Sequence, residues 1–154
     1  MAVTISRVRG EDAFAALQEL LVEYERSLPA DLRHGSEPDL QFVRRSYAEP
    51  NAAFLARVAL EGAGCVALVR LDPLTACVQR LYVRARCRGL GAGRLLVQTV
   101  IETARERGYD RLVLDTHAQR LPAAYQLYHS LGFADCEPFG SVGYACPTYM
   151  ELRL

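Results

Sequence analysis

The 154-residue chain contains no lysine: its eighteen basic residues are all arginine, and eighteen carboxylates balance them to a formal net charge of zero. Without lysine there is neither a Schiff-base amine nor a phosphate-loop ammonium, which excludes imine chemistry and Walker-type nucleotide hydrolysis. Without net charge no long-range field gathers nucleic acid or an anionic membrane, and neither is expected as a partner. The five cysteines (Cys65, Cys77, Cys87, Cys136, Cys146) stand at least ten residues apart, so CxxC and zinc-knuckle spacings are both missing. No metal is implied, and reduced, mostly buried thiols are expected. No apolar run from Met1 to Gly10 has the length of a signal peptide or membrane span, so a cytoplasmic location is expected.

What is present is a globular balance: 51% apolar and 23% charged residues, with 11 glycines and 7 prolines. A chain of this length can bury roughly 70% of its unfolded surface, enough for a core without staples. No linker, repeat or low-complexity stretch divides it, and residues 1–154 are expected to form a single domain.

Val3, Ile5 and Val8 read as a first strand. Phe14, Leu17, Leu20, Leu21 and Tyr24 recur at helical steps until Pro29. Ser36 is the expected cap of a second helix, with Pro38 in its first turn. Residues 51–60 and 65–71 read as a hairpin around a turn at 61–64, followed by a turn at Asp72-Pro73-Leu74-Thr75 and a strand over 76–83. An arginine- and glycine-rich loop, Arg84 to Gly93, then leads into a helix that ends near Gly108. With the strand Arg111 to Thr116 this makes a βαβ unit, the one crossover that implies parallel pairing. Pro122 opens another helix, Gly132 ends it, and segments from Phe133 and from Thr148 to Leu154 supply final strands. The order predicts an α+β domain with a mixed sheet.

The loop Arg88-Gly89-Leu90-Gly91-Ala92-Gly93-Arg94 stands where backbone N–H groups and the positive end of a helix converge, a setting that attracts phosphate. Glycines allow close backbone approach, and Arg84, Arg86, Arg88 and Arg94 place added positive charge nearby, in a basic cluster that begins at Arg80. A glycine-capped turn with solvated arginines is the plain alternative. The dinucleotide pattern G-x-G-x-x-G fails, because counting from Gly89 its third glycine falls on Arg94.

The loop instead matches R-x-x-G-x-G at Arg88, Gly91 and Gly93. Arg80-Leu81-Tyr82-Val83 precedes it, Ala124-Tyr125-Gln126-Leu127-Tyr128-His129-Ser130-Leu131-Gly132-Phe133 fits A-x-x-L-Y-x-x-L-G-F, and Met150-Glu151-Leu152 follows. In this order the segments resemble the GNAT-type, acetyl-CoA-dependent N-acetyltransferase superfamily, over roughly residue 76 to the C-terminus. The resemblance implies a mostly antiparallel sheet with helices on both faces, splayed between the strands ending at Val83 and Thr116, with acetyl-CoA (coenzyme A) as co-substrate. Leu81, Tyr82, Val83, Arg88, Gly89, Leu90, Gly91, Ala92, Gly93, Arg94, Thr116 and Tyr125 are its implied cofactor-binding residues, the pantetheine pairing with backbone as an added strand.

Acyl transfer from a thioester to an amine needs a base for the nucleophile and an acid for the leaving thiolate. Tyr128 matches the family's usual acid; its plain alternative is a core aromatic. The base departs from the pattern, since Cys77 stands where many members keep glutamate. Asp115 is the first replacement and His117 the second, against ordinary readings as a turn residue and a surface residue. Glu23, Tyr24 and Glu25 border the expected acceptor pocket, where they could read a cationic amine or, for the glutamates, form a solvated helix end. Phe139 to Tyr144 resembles a loop at the acceptor mouth. The expected partner is a small-molecule or peptide amine, and an exposed strand could pair with a second copy as a homodimer. The rival functions are a non-catalytic acyl-CoA-binding module and a nucleotide-phosphate binder outside the superfamily.

Overall fold

The alternation at the N-terminus becomes strand β1 (Val3–Arg7), whose Val3, Ile5 and Arg7 are the less exposed positions. The structure, a computed structural model, describes residues 2–154. Helix α1 (Glu11–Ser27) starts with Glu11 and Asp12 beside its positive end and stops ahead of Pro29. Its buried Leu17, Leu20 and Leu21 lie on one stripe.

Helix α2 (Leu40–Ser46) is capped by Asp39, whose carboxylate accepts the Phe42 N–H at 2.8 Å, and not by Ser36. Pro38 disfavours a helical residue just before itself, so the helix begins beyond it and the next good capping side chain takes over.

Strands β2 (Ala52–Val58) and β3 (Glu61–Asp72) form the expected hairpin with a shorter turn than the sequence suggests. Ala59 and Leu60 alone make it, both with positive φ (50° and 71°), and Val58 faces Glu61. Such two-residue turns match the strand twist. Residues 61–64 therefore belong to β3. Gly64 is required there by close approach, because a Cβ would lie 2.4 Å from the Tyr82 carbonyl oxygen.

Strand β4 (Thr75–Val83), helix α3 (Ala92–Glu106) and strand β5 (Arg111–Thr116) form the crossover; helix α4 (Pro122–Ser130), β6 (Ala134–Asp135) and β7 (Thr148–Arg153) complete the chain. The sheet order is β1-β2-β3-β4-β5-β7-β6, with β4 and β5 parallel and every other pair antiparallel. This is the mixed, mostly antiparallel α+β fold with one parallel pair. One face of the sheet packs on α1 and α2 through Leu17, Leu20, Val43 and Leu55. The other packs on α3 and α4 through Leu96, Val100, Leu112, Tyr128 and Phe133.

Two irregularities in β4 shape everything that follows. β4 pairs with β5 only at Thr75, Ala76 and Cys77, while its other edge stays on β3 as far as Val83 and β5 stays on β7 as far as Thr116. The two central strands therefore diverge after Cys77. In addition, β4 carries a bulge: between the pairs Gln79–Ala67 and Tyr82–Cys65, Arg80 and Leu81 face Val66 alone, and Arg80 adopts φ 59°. Among the described residues no helix is long and apolar enough to cross a membrane.

A candidate active site between the diverging strands

The divergence opens a cleft of about 1290 Å³ lined by β4 from Cys77 to Val83, by the glycine loop, by Asp115 and Thr116, by Tyr128, and by the segment Phe139–Tyr144.

The glycine loop meets it as a backbone surface. Gly89 and Gly91 both have φ 82°, a left-handed conformation that costs other residues strain. Gly91 is the N-cap of the fifteen-residue α3 and offers no side-chain cap, so the first amides of the helix stay open toward the cleft. A Cβ at Gly91 would meet nothing within 4 Å, so its backbone conformation, and not crowding, calls for glycine. Arg88 and Arg94 border the cleft, held by hydrogen bonds to the Val83 carbonyl (3.1 Å) and the Ser130 hydroxyl (2.8 Å).

The other two loop arginines are withdrawn from it. Arg84 forks onto both oxygens of Glu23 and donates to the Gly62 carbonyl at 2.8 Å. That guanidinium holds the Glu23 carboxyl below the usual range. Arg86 pairs with Glu61 at 3.5 Å. The sequence expectation of four arginines around a phosphate thus narrows to two, because local carboxylates engage the others. Leu90 and Tyr125 lie outside the cleft lining, the Tyr125 hydroxyl donating to Asp135 at 3.0 Å. Leu81, Tyr82, Val83, Gly89, Ala92, Gly93 and Thr116 all line it.

Tyr128 is both a core and a cleft residue. Gly132, with φ 102°, turns the chain so that the Phe133 N–H returns to the Tyr128 carbonyl (3.0 Å), and the two rings meet edge to face at 5.7 Å. The ring is buried, yet its hydroxyl has no protein hydrogen-bond partner among the described residues and borders the cleft. Burial pushes its pKa well above the ordinary phenol value, so it keeps its proton throughout the neutral range.

Cys77, the last residue paired across the two central strands, is buried, and burial pushes its thiol up to about 12. It is no base near neutrality. Asp115 is half-buried in the cleft wall and accepts a 2.7 Å hydrogen bond from the Tyr144 hydroxyl, which also lies 3.1 Å from the Thr116 carbonyl. Burial and the Asp115 carboxylate together raise the Tyr144 pKa. His117 is buried, not on the surface, and lies outside the cleft lining; its Nδ1 accepts the Arg120 N–H at 3.1 Å and braces the turn before α4.

Glu23 and Glu25 do not form a solvated helix end. Glu23 is tied to Arg84, and Glu25 is buried, accepting the His34 N–H (3.0 Å) and pairing with its Nδ1 (2.6 Å). Neither lines the cleft. Tyr24 does, stacked on His34 at 5.9 Å, with its hydroxyl pushed up to about 12 by burial. The thiols are also less enclosed than expected: Cys65 and Cys77 are buried, Cys87 and Cys136 are half-buried, and Cys146 is exposed. Sequence reading missed His34 as a wall residue, and it gave Arg80 and Tyr144 no role of their own beyond the basic cluster and the loop at the acceptor mouth. Nothing local marks a bulge at Arg80, and the other two reach the cleft only through tertiary folding.

The description "Acetyltransferase (GNAT) family" matches residues 14–133. An uncharacterized N-acetyltransferase of Schizosaccharomyces pombe is 33% identical over 156 residues, spanning 99% of this chain and 95% of its own. The chain belongs to the GNAT acetyltransferase family. Its fold matches that of a GNAT acetyltransferase from Staphylococcus aureus with a TM-score of 0.80 at 20% identity, covering 99% of both chains. It also matches an acetyltransferase from Salmonella typhimurium, solved with acetyl-CoA, with a TM-score of 0.78 at 21% identity, covering 99% of this chain and 94% of that one.

Proposed function

We propose that this protein transfers an acetyl group from acetyl-CoA to a primary amine by direct attack in a ternary complex. The observation that carries the reading is one cleft, opened where β4 leaves β5, that joins an uncapped helix N-terminus to the unpartnered Tyr128 hydroxyl. The residues fit the co-substrate: open amides and Arg88 and Arg94 suit a diphosphate, and the unpaired edge of β4 suits an amide-bearing arm. A fold shared with a protein solved with acetyl-CoA supports the same choice.

Acetyl-CoA supplies an activated thioester carbonyl and a thiolate leaving group. Gly89 to Arg94 bind the phosphates, and the backbone of Leu81, Tyr82 and Val83 orients the arm. Tyr128, which burial keeps protonated, holds a proton at Oη for the departing sulfur. Asp115 accepts the amine's proton through a water, and Tyr144 positions its carboxylate. The Cys77 thiol, kept neutral by burial, contributes packing.

Calorimetry with acetyl-CoA and thiol release with a panel of amines test the reading. Saturable binding with amine-dependent release is the expected result; no binding overturns the co-substrate. Binding without release by any amine favours the second reading, a non-catalytic acyl-CoA module, which the neutral Cys77 at the usual base position supports.

A further inference from the structure

Among the described residues, every cleft-lining arginine but one has a hydrogen-bond partner. Arg33 donates to the Leu28 carbonyl, Arg88 to the Val83 carbonyl, Arg94 to Ser130 and Arg120 to Asp31. Arg80 is half-buried and, among the described residues, its guanidinium makes neither an ion pair nor a hydrogen bond. Its nitrogens are open to the cleft and not sealed in the core, so the charge is free to take a ligand, and it sits on a bulge at a φ of 59° that ordinary residues avoid.

Its surroundings offer no protein carboxylate to complete it. Arg80 borders both the main cleft and a hollow of about 50 Å³ between α1 and α2, shared with Glu25, His34 and Tyr47. Glu25 is engaged by the His34 N–H and ring, and makes no ion pair with Arg80. Among the described residues Asp115 is the one acidic residue lining the cleft, and Tyr144 holds it. The phosphates proposed above belong to the loop at Arg88 to Arg94, beyond the end of β4. The arm between them and the thioester is uncharged, so the co-substrate brings no anion to Arg80.

Arg80 on β4 and Asp115 on β5 both line the cleft beyond Cys77, so opposite charges stand on the two strands where they part. Leu28, Leu32, Phe139 and Tyr149 add apolar wall. We infer that Arg80 anchors a carboxylate of the acceptor, so that the amine this cleft takes is a small carboxylate-bearing primary amine of the α-amino acid class. The carboxylate completes the guanidinium by paired, charge-assisted hydrogen bonds, and the amine turns toward Asp115. This rests on the acyl-transfer reading, and it places recognition of the acceptor's charge on Arg80 where the sequence pointed to Glu23, Tyr24 and Glu25.

The test uses matched trios: an apolar α-amino acid, its primary amide and the decarboxylated amine, each assayed with acetyl-CoA by thiol release. The acid should exceed both partners by about tenfold or more in kcat/KM, as a site built for a polar group rejects analogues lacking it. Arg80→Gln should erase that preference through KM while the melting temperature and acetyl-CoA affinity hold, and Arg80→Lys should restore part of it. Equal or better turnover of the amide or decarboxylated amine, or a preference that survives in Arg80→Gln, overturns the inference. Calorimetry of N-acetyl amino acids against their amides, on protein loaded with coenzyme A, separates this failure from that of catalysis. A carboxylate preference lost in Arg80→Gln supports the anchor even if no amine is turned over, and no preference overturns it.

Discussion

The cleft has two walls of different construction. On the loop side, the wall is presented by backbone: Gly89 and Gly91 at positive φ, and helix amides that no side chain caps. On the side of α1 and the Phe139–Tyr144 segment it is presented by side chains held in place by one another. There Glu25 fixes His34, His34 stacks on Tyr24, and Tyr149 holds the Gly140 carbonyl at 3.0 Å. A backbone wall suits a ligand part that never changes, whereas a side-chain wall can be altered one residue at a time. Substitutions should therefore split: the loop side governs co-substrate affinity, and the opposite side governs the choice of acceptor.

The sharpest break is expected where the two walls meet. Tyr128→Phe keeps the ring against Phe133 and removes the proton, so kcat should fall by about 10²- to 10⁴-fold with acetyl-CoA affinity little changed. An unchanged kcat on a true acceptor would remove Tyr128 from the chemistry.

Next comes Gly91→Val. Left-handed backbone costs a side chain roughly 1–2 kcal/mol, and the added carbons stand in the phosphate approach. Acetyl-CoA affinity should drop about tenfold or more while the protein stays folded, as calorimetry and a thermal melt would report. Arg88→Ala should weaken binding modestly and make it less sensitive to salt, because the backbone nest remains.

On the acceptor side, Asp115→Asn should remove one limb from the pH profile of kcat/KM, leaving a rate that follows the amine's own ionisation. Tyr144→Phe should shift the same limb without affecting acetyl-CoA binding. A profile identical to wild type in both variants would leave proton loss to the acceptor and solvent.

The smallest effect belongs to the Glu23–Arg84 pair that closes the back of the loop. The Glu23 carboxyl is depressed in the folded state, so its stabilisation is present above the unfolded value near 4.5 and fades as pH falls through the lower folded one. Glu23→Gln should be less stable at pH 7 by at most about 1 kcal/mol, the ceiling for a partly exposed pair, and the gap should close in acid once the folded carboxyl takes up its proton. Denaturant melts at neutral and acid pH would show it.

The contrast between the walls also explains what could be read from the sequence. The loop side was legible because its chemistry is local. Strand, glycines and helix follow one another, and the strands ending at Val83 and Thr116 diverge as the resemblance implied. Tyr128 was legible through its segment, since Gly132 and Phe133 fix its ring by short-range contacts. The opposite wall was not, because its partners meet only in the folded chain: His34 returns onto Glu25 across the end of α1, and Tyr144 reaches Asp115 from another segment. The turn at Ala59-Leu60 was missed because neither residue is the glycine or asparagine that usually announces positive φ, and Gly62 and Gly64 drew the expectation downstream.

The central claim is that the cleft performs acyl transfer rather than acyl-CoA storage. Its most direct test incubates wild type and Tyr128→Phe with acetyl-CoA and a mixture of primary amines, quantifying released thiol and acetylated amine by mass spectrometry. The account predicts equal amounts of both from wild type and a loss of about 10²-fold or more in the variant. Tight acetyl-CoA binding with no acetylated amine from wild type would contradict it.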